Sequence, residues 1–129
     1  MRSAMKRTYA EWPLRLGCGL VNLYASYFLL TDPARYHKYV PAWLANATNG
    51  VASIDAYLQL QGLGELTIAI LLISWLFPRW CVRAGATLHA LQMTLILAFI
   101  GVNSETFRNV GLLGAALSLM VMTCIRSET

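Results

Sequence analysis

Few side chains in this 129-residue sequence could do chemistry inside apolar surroundings, and they recur at helical spacing. Glu65 follows Gln61 by four residues, so the two share one helix face. His89 and Gln92 stand three apart and share another. Asn22 belongs to a third set, Arg15, Cys18, Gly19, Asn22 and Ser26, which also repeats at helical steps. A carboxyl group in an apolar segment either bolts helices together or accepts a proton or a ligand, and both readings of Glu65 stay open. Gln61 and Gln92 can each hydrogen-bond the neutral acid. His89 could be a pigment or haem ligand, a proton relay, or a hydrogen-bonded packing residue. A bis-histidine haem needs a second histidine at matching depth, and His37 falls in a loop, so haem is disfavoured. No His, Cys, Asp and Glu cluster has metal-ligand spacing, so no metal is expected. No nucleophile arrangement and no Gly-rich phosphate loop is present.

Four apolar stretches must position these residues. They cover about 13–30, 57–77, 84–102 and 107–125, the last reaching 107 only if Phe107 and a snorkelling Arg108 belong to it. A bilayer core of about 30 Å takes roughly 20 apolar residues as helix. A soluble bundle would need regular polar positions on its outer face, and the run from Leu66 to Phe77 offers only Thr67 and Ser74. Charged residues make up 12%, about half the share in an ordinary soluble domain. The expected fold is therefore all-α: one transmembrane domain over residues 1–129, an up-down-up-down four-helix bundle with an interfacial outer loop between helices 1 and 2. At about 1.5 Å rise per residue, Asn22, Glu65, Gln92 and Ser118 fall in one slab near the midplane. Gly62, Gly64, Gly111, Gly114 and Ser118 supply the small side chains for close helix packing.

The loop of residues 31–56 opens with the turn signal Asp32-Pro33 and carries Tyr36, Tyr39 and Trp43 beside Lys38 and Pro41. Such a mixture suits the membrane interface, as an anchor or as the lip of a peptide or quinone site. Arg2, Lys6, Arg7, Arg79, Arg83 and Arg126 fall on one side of this topology. Arg35, Lys38 and Arg108 fall on the other, offset by Asp32, Asp55 and Glu105. That bias puts both termini in the cytoplasm. The formal net charge of +4 is thus a topology signal, and no nucleic-acid partner is expected. The first stretch lacks a small-x-small cleavage pattern and is expected to stay as a span. Cys18, Cys81 and Cys124 form no CxxC pair, and packing is their expected role, with a redox-active pair as the alternative.

Several blocks resemble the DoxX-like family of small four-span membrane proteins. They are RLGCGLVNLYASYFLLTDP in the first stretch, YVPAWL in the loop, GLGELTIAILLISWL around Glu65, Leu88-His89 in the third stretch, and FRNVGLLGAALSL at 107–119. Family members commonly show Arg-Asp before Gly-Leu-Leu-Gly, whereas here Asn109 replaces the acid. The resemblance implies a bacterial inner-membrane protein, multi-pass. Some relatives are subunits of thiosulfate:quinone oxidoreductase, and others are associated with oxidative stress or sulfur metabolism. The expected role is a small accessory subunit of a redox or energy-converting membrane complex, more a non-catalytic subunit than an enzyme. It would hold no intrinsic cofactor, with a quinone at an interface as the candidate ligand. Its partners would be the lipid bilayer and a larger complex or a homo-oligomer. A free-standing small transporter or proton-linked carrier acting as an oligomer is the alternative.

Overall fold

The computed structural model describes residues 2–74, 76–104 and 106–125, with side chains from residue 9 onward. Arg126 and Glu105, and the side chains of Arg2, Lys6 and Arg7, lie outside the described residues, so the charge balance rests partly on groups not located. Among the described residues every regular element is helical. The order is α1 (Arg2–Thr31), a 3-10 helix (Pro33–Tyr39), α2 (Ala42–Thr48), α3 (Ile54–Ile73), α4 (Arg79–Ile100) and α5 (Phe107–Ile125).

Local chemistry sets these boundaries. The Ser53 hydroxyl caps α3 by accepting the Ala56 N–H at 3.2 Å. The helix ends at Ile73, earlier than the apolar stretch to 77, because the chain turns extended at Ser74 ahead of Pro78. Helix α4 starts earlier than its apolar stretch, directly after that proline. It stops at Gly101, whose φ of 83° and ψ of 178° suit only a residue without Cβ. The turn that follows is held by Thr106, whose hydroxyl donates to the Gly101 carbonyl at 2.6 Å and accepts the Asn103 N–H at 2.9 Å.

The long helices form a ring: α1 packs on α3, α3 on α4, α4 on α5, and α5 back on α1. Their register shows alternating directions. On α1, Arg15 meets Leu72 while Leu29 meets Gly62, so the residue numbers run in opposite senses. Gly85 lies beside Leu71 while Gln92 meets Glu65, and Arg83 near the start of α4 meets Thr123 near the end of α5, so these pairs run in opposite senses too. Close approach at the α1–α3 seam requires Gly62, where an added Cβ would stand 2.9 Å from Leu29 Cβ. The tightest core joins Cys18, Ile68, Leu72, Val82, Ala86 and Leu119, toward the end of the ring that holds the chain termini.

By length and composition α3, α4 and α5 can each cross a membrane. Their outer faces carry Leu63, Ile70, Leu91, Leu117 and Val121 exposed, a surface that water would penalise and lipid accepts. These features mark the chain as a helical membrane protein.

The small residues expected to pack helices take different places in the structure. Gly64, Gly111 and Gly114 face open space, and Ser118 is exposed with its hydroxyl donating to the Gly114 carbonyl of its own helix at 2.9 Å. Gly114 and Ser118 therefore point outward, while Gly111 borders the space between the helices and the loop. The inward face is Asn109, Ala116, Leu119 and Thr123, set by a seven-residue step that brings 109, 116 and 123 into line. Of the five packing residues named above, only Gly62 lies in a seam of this chain.

Candidate functional site

The stripe on α1 is buried throughout: Arg15, Cys18, Gly19, Asn22 and Ser26, together with Glu11 and Leu29, form the face turned into the ring. It divides into two regions of different chemistry.

Toward the termini, Arg15 acts as a brace. Its Nε donates to the Leu72 carbonyl and its Nη2 to the Ser74 carbonyl, both at 2.8 Å. These carbonyls belong to the end of α3, where helical partners run out, and a cation there also complements the helix dipole. The guanidinium lies over the Trp12 ring, 4.3 Å from its centre. Glu11 approaches Arg15 at 3.7 Å and Arg79 at 3.6 Å. Arg83 does the same for α5, donating to the Thr123 carbonyl at 3.1 Å. Sequence spacing puts Arg15 in the stripe and reads Arg79 and Arg83 as topology charges, and it leaves Glu11 out. The four-residue step from Glu11 to Arg15 was the available signal.

Deeper in the ring stands a polar cluster. Asn22 Nδ2 donates to the Cys18 carbonyl at 2.8 Å and lies 3.0 Å from His89 Nδ1. One turn further along α4, Gln92 Nε2 donates to Glu65 Oε1 at 2.6 Å. Gln61 flanks Glu65 one turn earlier on α3 and is half-buried. His89 is wholly buried, and Asn22 and Glu65 nearly so. The five candidate residues thus gather into two bonded pairs plus Gln61, whereas Ser118, placed at the same depth by sequence, turns away to the exterior. Asn22 Oδ1, His89 Nε2 and Gln92 Oε1 have no hydrogen-bond partner among the described residues. Buried polar atoms without partners are uncommon and mark places where water or a ligand completes the network.

Above this cluster, toward the loop end, a cavity of about 800 Å³ opens. Asn22, Gln61 and Glu65 lie on its wall, with Leu29, Leu58 and Met93 beside them. The loop covers it through Tyr36, Tyr39, Pro41, Trp43 and Leu44. Trp43 packs on Phe99 with ring centres 5.3 Å apart, and Arg35 lies 4.4 Å from the centre of the Phe28 ring. His37 and Asp55, both exposed, pair across the base of the loop and tie the 3-10 helix to the start of α3. Burial pushes the Tyr36 hydroxyl above the ordinary tyrosine range. The charge of Glu65 adds to this effect, while Arg35 and Arg108 oppose it. Asn109 is buried and lines the same cavity with Thr106 and Arg108.

Cys18 and Cys81 are buried and Cys124 is exposed, with no disulfide among the described residues. No three His, Cys, Asp or Glu side chains come together among the described residues in a way that could hold a metal. The arrangement instead suits a small amphipathic molecule. It has an apolar and aromatic wall, a volume within the usual range of about 300–1,000 Å³ for ligand sites, and a few polar groups gathered at one end. The chain matches no family model, and no curated protein or solved structure proves similar to it.

Proposed function

We propose that the protein is a small DoxX-like membrane subunit, accessory to a redox or energy-converting complex, and that its loop-end cavity holds a quinone-class lipophile. The observation that carries this reading is the cavity itself, apolar along its wall and polar at Asn22, Gln61 and Glu65. A quinone ring needs an apolar slot with one or two hydrogen-bonding groups, and the lining supplies both. Tyr36, Tyr39 and Trp43 cover the ring from the loop, and Glu65 is the group suited to exchange a proton with the ligand. The quinone supplies the redox chemistry when bound, and electrons arrive from a partner that carries a flavin, haem or metal.

In this reading α1 serves as a fourth span, giving a four-span bundle. Its buried stripe packs against α3 and its outer face, with Leu16, Leu20, Leu23 and Tyr27, meets lipid. The positive-residue bias supports cytoplasmic termini in a bacterial inner membrane. The outward pair Gly114 and Ser118 is the kind of surface that accepts a neighbouring membrane helix closely.

The test is purification from native membranes in mild detergent, with mass spectrometry of co-purifying proteins and extractable small molecules. A stoichiometric redox partner with a quinone is the expected result. A lone homo-oligomer that carries no quinone and moves a solute across vesicle membranes would overturn this reading in favour of a carrier.

A further inference from the structure

We infer that the cavity opens to the bilayer through the gap between α1 and α5, and that its ligand is a long-chain lipophile whose tail lies in that gap over Gly111. The inference rests on the reading of the cavity as a quinone-class site in a four-span bundle. It adds where the tail goes, and so which members of the class the site takes. It follows from residues that border one space from opposite faces of a helix. On α1, Asn22 is buried, whereas Leu20 and Tyr24, two residues to either side, are 55% and 64% exposed. Two residues along a helix turn a side chain by about 200°, so Leu20 and Tyr24 point away from Asn22. All three line the cavity. The space therefore runs round one flank of α1, from its inner to its outer face. Val21 and Ala25 lie on that flank and line the cavity too. The other flank is closed by α3, where Gly19 lies against Ile73 and Leu30 against Gly62. Helix α5 repeats the pattern across the gap. Asn109 is buried, Gly111 two residues on is exposed, and both line the cavity.

The rest of the fold leaves this side free. Of the four seams of the ring, that of α1 with α5 is the loosest. The loop rests on α1 and α3. Its Trp43 packs on Phe99, which follows Gln92 by seven residues and so lies on the flank of α4 turned to α3. Where the gap passes α5 no side chain stands in it, and an added Cβ at Gly111 would meet nothing within 4 Å. A tail that emerged past the loop into water would lose roughly fourfold in affinity for each methylene exposed. A tail that emerges between Tyr24 and Gly111 passes from an apolar wall into lipid and avoids that loss. The head stays at the polar end beside Gln61 and Glu65.

The experiment measures equilibrium binding to the full chain in nanodiscs, with probe concentration expressed per lipid. The probes are a benzoquinone with a long isoprenoid tail, the same ring with a methyl group in place of the tail, and an alcohol with the same tail and no ring. Gly111→Trp fills the gap, and Gly114→Trp, outside the cavity lining on the same helix, is the control. Gly111→Trp should weaken the long-tailed quinone about tenfold or more, the effect of overpacking its path, and leave the tailless ring within about twofold. Gly114→Trp should change neither. On the unaltered chain, a photoactivatable group halfway along the tail should label residues 20–24 and 108–112, a readout that needs no variant to fold. Labelling confined to the loop or to α3 and α4 overturns the inference and leaves the quinone-class reading intact. So does the same response of both quinones to Gly111→Trp, or an equal effect of Gly114→Trp. Binding of the tailed alcohol, lost in Gly111→Trp, without binding of either quinone keeps the gap and overturns the quinone-class reading. Binding of none of the probes overturns both.

Discussion

Replacing Arg15 by Met should destabilise the protein by about 3 kcal/mol, at the lower end of the range of ~3–5 kcal/mol for breaking a buried charge pair from one side. The methionine keeps most of the apolar stem, so packing changes little. What disappears is the guanidinium with its two 2.8 Å bonds to the Leu72 and Ser74 carbonyls. Hydrogen bonds to a charged group contribute about 1.5–3 kcal/mol each, and carbonyls at a helix end with no substitute donor are costly inside the ring. Glu11 would lose Arg15 but keep Arg79 at 3.6 Å, which holds the cost near the bottom of the range. Arg15→Lys should fall between, since one ammonium cannot span both carbonyls as the planar fork does. Reversible unfolding in mixed micelles, or steric trapping in bicelles, reads these differences. A loss below ~1 kcal/mol for Arg15→Met, the value of an exposed ion pair, would refute the brace.

Other perturbations separate seam from exterior and lid from core. Gly62→Val should cost about 1–3 kcal/mol by overpacking against Leu29, while Gly114→Val, in open space, should change thermal stability in detergent by less than ~0.5 kcal/mol. Gly101→Ala forces a side chain into a backbone region suited to glycine and should cost about 1–3 kcal/mol in the same assay. The raised pKa of Tyr36 makes its contribution to stability fully present below pH ~10 and lost as pH rises through the folded value. Absorbance titration should show one late-ionising phenol that vanishes in Tyr36→Phe, and uniform titration of all tyrosines would contradict the buried lid.

How far the sequence disclosed this arrangement varies by element. The stripe on α1 was legible because polar and small residues at helical steps have few reasons to recur in an apolar segment except to face other helices. Glu65 and Gln92 were legible as partners because depth follows from counting residues along the helices. Ser118 shows the limit of that method. Counting gives depth but not azimuth, and a serine can satisfy its own hydroxyl by bonding back to its helix. The same ambiguity holds for Gly111 and Gly114, since a small-residue stripe looks alike whether it meets a neighbour in the chain or one outside it. Glu11 was hidden because a charged residue near a basic N-terminal segment reads as solvated until Arg15 and Arg79 are seen around it. The cavity was not legible at all. It is a space between α1, α3, α4, α5 and the loop, and no spacing within one segment encodes it.

The most direct test of the central claim is native mass spectrometry of the protein taken from its own membranes, alongside Ala25→Phe. Ala25 is half-buried on the cavity wall, so a phenyl ring there occupies the space proposed for the ligand. The account predicts about one equivalent of a quinone-class lipophile on the unaltered protein and little on the variant, with folding preserved. The same lipid complement on both, with no quinone-class molecule on either, would contradict it.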